Sequence, residues 1–143
     1  MVTLQTLQKY SLFGGLTEEQ IANILPLMEL ESYKPDTDII VEGKSNDRIY
    51  FIIDGVVRVI KGGVVLCDLE TGETFGEMEV LDVMPSVATV RTISEVGVMS
   101  FSHKSLRGIY GQDIKAFALI IMNLARCLSR RLRRMDEKQV DPN

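Results

Sequence analysis

Between residues 33 and 101 the chain runs as short segments rich in valine and isoleucine, several of them separated by glycine turns. Such segments suit a pleated, half-buried surface, so this texture restricts the middle of the chain to antiparallel β architecture. Residues 38–42, 48–53, 56–60, 64–69, 88–93 and 96–101 read as strands. Glu42-Gly43, Asp54-Gly55, Gly62-Gly63 and Thr71-Gly72 supply the turns between them. Strands at roughly 8–12-residue spacing predict a sandwich or barrel. One stretch breaks the rhythm. Residues 75–90, Phe75-Gly76-Glu77-Met78-Glu79-Val80-Leu81-Asp82-Val83-Met84-Pro85-Ser86-Val87-Ala88-Thr89-Val90, read as a glycine turn, a short helical turn, a proline break and a β-branched strand. That order aims backbone N–H groups at a common point, a geometry suited to a phosphate.

The flanks are helical. Residues 4–26 read as two helical pieces broken at Phe13-Gly14-Gly15, and Thr17 followed by Glu18, Glu19 and Gln20 predicts a capped helix start. Pro26 ends or kinks that helix. Residues 102–138 read as C-terminal helices, of which Asp113 to about Glu137 is one long helix. Ile114, Phe117, Ile121, Leu124 and Leu128, loosely continued by Leu132 and Met135, form a seam for packing on the β region or on a partner helix. The expected organisation is one domain: helical segment 1–32, β region 33–101 containing the 75–90 stretch, helices 102–138, and a frayed tail, Gln139-Val140-Asp141-Pro142-Asn143.

Composition narrows the function. A net charge of −4 gives no general attraction to nucleic acid or anionic membrane. No apolar run approaches the roughly 20 residues that span a bilayer, and the N-terminus lacks the pattern of a signal peptide, so a cytoplasmic protein is expected. Cys67 and Cys127 are far apart without a C-x-x-C pair and read as buried or half-buried thiols. The single histidine, His103, cannot make a cupin-type metal set and reads as a satisfied structural side chain. No nucleophile–base constellation is present, so the expectation is a non-enzyme.

Residues 75–90, from Gly-Glu to Pro, resemble the phosphate-binding cassette of cyclic-nucleotide-binding domains, such as those of catabolite activators and protein kinase A regulatory subunits. Ser11-Leu12-Phe13-Gly14-Gly15-Leu16 and Tyr50-Phe51-Ile52-Ile53-Asp54-Gly55 add to the likeness, which spans nearly the whole chain. The resemblance implies a mainly β fold with flanking helices: an antiparallel β-roll of jelly-roll type with N-terminal helices, a short cassette helix and a long C-terminal helix. It implies that Gly76 permits the tight turn, that Glu77 accepts a hydrogen bond from a ribose hydroxyl, and that the N–H groups of Met78, Glu79 and Val87 face a cyclic phosphate. Ala88 and Thr89 begin the following strand, where the Thr89 hydroxyl reaches ligand or caps the loop. Val87 offers no hydroxyl where some cyclic-GMP binders carry threonine.

Two positions depart from the family pattern. Ser86 stands where an arginine usually pairs with the phosphate. A charge-assisted hydrogen bond is worth about 1.5–3 kcal/mol, so its loss implies roughly 10- to 100-fold weaker binding. Glu79 stands where a small residue is usual, and its carboxylate either repels an incoming anion or complements the helix dipole from solvent. Arg91, Arg58 and Lys61 are the other cations within sequence reach, although strand-surface cations are ordinarily solvated. The resemblance thus implies a standalone regulatory module, a sensor or adaptor, with a degenerate phosphate site and weak or no ordinary cyclic-AMP binding. Two alternatives stay open: a working cyclic-AMP-binding protein using another cation, and a dimerising interaction module without a small ligand. Cyclic AMP is the one candidate ligand, a homodimer through the C-terminal helix the expected assembly, and a protein partner a further option. Arg126, Arg130, Arg131, Arg133 and Arg134 cluster near the helix C-terminus, where they complement its dipole and aid solubility. With about ten residues beyond that cluster, no recognition helix for direct sequence-specific DNA binding is expected.

Overall fold

The computed structural model describes the backbone of residues 3–140 and side chains to Glu137. After α1 (Leu4–Gln8), a 3-10 turn at Ser11–Phe13 and α2 (Glu18–Ile24), the described residues make eight strands. They are β1 (Glu29–Tyr33), β2 (Asp38–Ile40), β3 (Arg48–Asp54), β4 (Val56–Lys61), β5 (Val64–Glu70), β6 (Thr74–Phe75), β7 (Thr89–Thr92) and β8 (Val96–Ser102). The short helix α3 (Glu77–Asp82) separates β6 from β7, and α4 (His103–Gln112) and α5 (Ile114–Val140) follow β8. Two four-stranded antiparallel sheets, in the orders β1-β8-β3-β6 and β2-β7-β4-β5, form the expected roll with flanking helices.

The period-2 alternation of side chains explains how one strand serves two cores. Tyr50 and Ile52 of β3 face into the roll with Ile40, Val57, Leu69, Phe75, Val90, Val96 and Val98. Their neighbours Ile49 and Phe51 face outward and pack with Leu7, Leu12, Phe13, Leu16, Ile21, Ile24, Ile120 and Leu124 of the helices. Phe51 meets Tyr10 and Phe13 edge-on at centroid distances of 5.2 and 5.6 Å. β3 is thus buried on both faces, and the helical layer is fixed to the roll along it.

The capped start of α2 is as expected: the Gln20 N–H donates to Thr17 Oγ1 and the Thr17 N–H to Gln20 Oε1. Pro26 sits in a 3-10 turn at Leu25–Leu27 that ends the helical run. Cys67 and Cys127 are half-buried and not joined in a disulfide. His103 differs from expectation: it lies exposed at the first residue of α4.

Three further readings need correction. The β structure begins earlier than residue 33, because β1 pairs with β8 from Glu29↔Ser100 to Tyr33↔Val96. Its apolar residue Leu30 points outward, 71% exposed, so sheet pairing rather than a hydrophobic alternation makes the strand. The seam on the long helix divides. Leu124 is 1% exposed in the core, whereas Ile114 and Leu132 are exposed. The buried stripe is Ala116, Ile120, Asn123 and Leu124, and Asn123 Nδ2 donates to the carbonyls of Leu12 and Gly14, both at 2.9 Å. The helix runs to Val140, so Gln139 and Val140 are helical rather than frayed, and residues 141–143 of the expected tail lie outside the described residues.

Candidate functional site

β6 pairs with β3 through Tyr50↔Phe75 and Phe51↔Thr74, and this pairing delivers the chain to the turn at Gly76. Gly76 has φ +84°, and a Cβ there would lie 2.5 Å from the Arg48 carbonyl oxygen and 2.9 Å from Asn46 Nδ2. Only glycine satisfies both the left-handed backbone and that approach. Asn46 fastens the turn by donating through Nδ2 to the carbonyls of Arg48 (2.9 Å) and Gly76 (3.2 Å).

Directly after this turn Glu77 enters α3 with 1% exposure. Its partner comes from 54 residues away: Arg131 Nη1 of α5 donates to Glu77 Oε1 at 3.0 Å. Arg131 Nη2 donates to the Thr74 carbonyl. Burial pushes the Glu77 carboxyl above the usual carboxylate range; Arg131 pulls against that shift and the nearby Glu79 carboxylate adds to it. Three buried polar atoms of this cluster have no partner among the described residues: Glu77 Oε2, Arg131 Nε and Thr74 Oγ1. Native proteins seldom leave such groups idle. Beside them, a cavity of about 100 Å³ between β5 and α5 is lined by residues 66–69, Arg131, Arg134 and Met135.

The other end of the cassette is held by backbone. The Ser86 N–H donates to the Lys44 carbonyl at 2.9 Å, and the Gly43 N–H donates to the Ser86 carbonyl at 2.7 Å. Ser86 is 3% exposed and its hydroxyl is also without a partner among the described residues. Ala88 is buried, Met78 and Val87 are exposed and Glu79 is half-buried. Thr89 Oγ1 accepts from the Glu42 N–H at 3.0 Å, so it ties the cassette to the chain after β2.

The cations expected within reach lie elsewhere. Arg91 pairs with Asp38 at 2.7 Å and Arg58 with Asp68 at 2.9 Å, both on the exposed face of the roll, and Lys61 is exposed at a hairpin end. The arginine inside the site is Arg131, assigned from the sequence only to the dipole-complementing cluster. Its neighbour Arg134 likewise turns to the roll and pairs with Glu73 at 2.9 Å. A signal was present. Arg131 follows Ile120, Leu124 and Cys127 at helical spacing, so a charged residue extends the buried stripe. No group of three or more residues able to hold a metal ion occurs among the described residues. None of the helices among them is long and apolar enough to cross a membrane.

A sequence model of the cyclic nucleotide-binding domain matches residues 30–113. The chain is 26% identical over 142 residues to a CRP-like cAMP-activated global transcriptional regulator of Mycobacterium tuberculosis, covering 96% of this chain and 62% of that one. It is 30% identical over 130 residues to the cyclic AMP receptor protein of Thermus thermophilus, covering 87% of this chain and 58% of that protein. The chain therefore spans less than two thirds of these curated relatives. Among solved structures, a cyclic nucleotide-binding domain from Methylobacillus flagellatus superimposes with a TM-score of 0.86 at 24% identity, covering 94% of this chain and 79% of that one. The Thermus thermophilus catabolite activator protein gives 0.77 at 27% identity, covering 90% and 61%. The roll, the cassette turn and the sequence match agree, and the chain belongs to the cyclic nucleotide-binding domain family.

Proposed function

We propose that the chain is a non-enzymatic regulatory module of the cytoplasm whose site takes a cyclic nucleotide by its ribose end and grips the phosphate weakly. The observation that carries this reading is Glu77, a carboxylate 1% exposed beyond a glycine turn, with Oε2 unpartnered. A sugar hydroxyl supplies the missing donor. At the phosphate end the buried side chain is Ser86, which brings a hydroxyl without a formal charge. Met78, Glu79 and Val87 contribute backbone N–H groups there, and the half-buried Glu79 lowers the potential for an anion. Cyclic AMP is the ligand class favoured, with affinity roughly 10- to 100-fold below that of a site bearing a phosphate-pairing arginine. Backbone amide NMR during titration with cyclic AMP tests the assignment. Shifts should concentrate at residues 76–80 and 86–89; unchanged spectra at millimolar nucleotide would remove the ligand reading.

A second reading concerns assembly. Ile114 (58%), Met122 (50%) and Leu132 (62%) lie exposed on the outer side of α5, with the exposed Ala118 and Ala125 between them. Small residues at this spacing allow two helices to approach closely. The reading is a homodimer through this outer face, and Leu132→Glu should convert it to monomer in sedimentation. Leu124 is unsuited to that test, because its substitution strikes the core. Dimerisation without any nucleotide response would favour a pure interaction module acting on a protein partner.

A further inference from the structure

We infer that α5 presents a docking site for a short acidic segment of a protein partner, built from Arg126, Arg130 and Arg133, which take no part in the cassette. The three stand four and three residues apart, so they share one face of the helix over about 10 Å. With Ser129 and, from the N-terminal 3-10 turn, Ser11, they line a hollow of about 460 Å³. All three are exposed, and none enters an ion pair among the described residues. Arg131 and Arg134 differ, since they turn to the roll and pair with Glu77 and Glu73. The arginine cluster therefore divides into two cations neutralised within the fold and three that are not.

The helix dipole does not account for the three. Its influence fades within the last turn, and Arg133, the nearest to the end, precedes Val140 by seven residues. Like charges three and four residues apart repel, which weakens a helix rather than supporting it. The guanidiniums are nevertheless held in place. Arg126 Nη1 donates to Asn123 Oδ1 at 3.4 Å, and buried Asn123 is itself anchored on the carbonyls of Leu12 and Gly14. Arg130 Nε donates to the Arg126 carbonyl at 3.4 Å. Each guanidinium has five N–H donors and keeps several for a ligand. Their planar fork matches a carboxylate, and a carboxylate also relieves the repulsion.

The extent of the patch selects a short segment over a long polyanion. In an extended peptide, alternate side chains repeat about every 7 Å, so two or three carboxylates fall within reach of the three arginines. Beyond Arg133 the helix carries Asp136 and Glu137. The adjoining hollow shares Arg130 and Arg133 but is lined also by Glu70 and Glu73. A nucleic acid needs a continuous basic track, and here it meets carboxylates along the helix and across it. The net charge of −4 opposes a chain of many phosphates at longer range.

The test is fluorescence anisotropy of a labelled hexaglutamate peptide at about 50 mM salt, where exposed charges are least screened. Its hexaglutamine counterpart and a single-stranded hexanucleotide serve as competing probes. Wild type should bind hexaglutamate in preference to both. Arg130→Gln combined with Arg133→Gln should weaken that binding about five- to tenfold. Lys34→Gln with Lys104→Gln removes the same charge at exposed positions outside the hollow and should leave it nearly unchanged. The urea midpoint of the arginine variant should stay level or rise, since repulsion is removed. No hexaglutamate binding at millimolar peptide, an equal loss in the lysine variant, or a marked fall in the urea midpoint would overturn the proposal. Tighter binding of the hexanucleotide would replace the acidic segment with a nucleic acid. Conversion of a dimer to monomer by the arginine substitutions, read by sedimentation without peptide, would assign the face to a second copy of the chain instead.

Discussion

The cassette helix α3 starts and ends on a left-handed residue, and the two ends are built differently. At the start Gly76, φ +84°, lies in a tight enclosure of Arg48 and Asn46. At the end Val83, φ +54°, carries a β-branched side chain in the same backbone region and is 80% exposed. Left-handed backbone is natural for glycine and strained for valine. The difference separates two roles. The start of α3 is fixed by close backbone approach and by the Arg131 ion pair; its end carries strain at an exposed position. Beyond Val83 the chain returns towards β7, and Ser86 on the way is tied to Gly43 and Lys44.

The comparison breaks most readily at the start of α3. Arg131→Ala strands a carboxylate that is 1% exposed, and unfolding in urea at neutral pH should show a loss of about 3–5 kcal/mol. A loss under about 1 kcal/mol would mean the start of α3 is not fastened by α5. Gly76→Ala should cost about 3 kcal/mol, because its Cβ meets a backbone oxygen at 2.5 Å. At the other end the sign reverses. Val83→Gly relieves strain at an exposed position and should raise stability by about 1 kcal/mol after the greater flexibility of the unfolded glycine is discounted. A destabilising Val83→Gly would erase the contrast between the two ends.

A smaller effect should appear with pH. Burial holds the Glu77 carboxyl above its ordinary value, so the folded protein binds that proton more tightly than the unfolded chain does. The resulting stabilisation is fully present below the unfolded value, about 4.3, and is lost as pH rises through the folded value. Glu77→Gln, neutral throughout, should remove this part of the slope in urea midpoints measured from acid to neutral pH. An unchanged slope would show that Glu77 is not its source.

Most of the roll was legible because its signals are local. β3, β4 and β5 have valine or isoleucine runs bounded by glycine turns, and the capping box at Thr17 lies within four residues. β1 was not legible, since Leu30 faces outward and only pairing with β8 makes the strand. The cassette was legible from Gly76, Glu77 and Pro85, whose chemistry is short-range. Its counter-ion was not, because Glu77 and Arg131 meet only after α5 folds back across the roll. The core-facing side of α5 was assigned only in part: Phe117, Ile121 and Leu124 do pack on the core, but buried Asn123, satisfied by two carbonyls of the N-terminal segment, takes the place of an apolar residue in the stripe. Helical periodicity registers hydrophobicity and misses a polar residue whose partners lie elsewhere in the chain.

The most direct test of a ribose end kept intact beside a weakened phosphate end is calorimetric titration of cyclic AMP into wild type and Ser86→Arg, with circular dichroism confirming that both are folded. The account predicts weak binding by wild type and a gain of roughly 10- to 100-fold from the added guanidinium. Tight binding by wild type with no gain from Ser86→Arg would contradict it, and would show that the phosphate already has its cation.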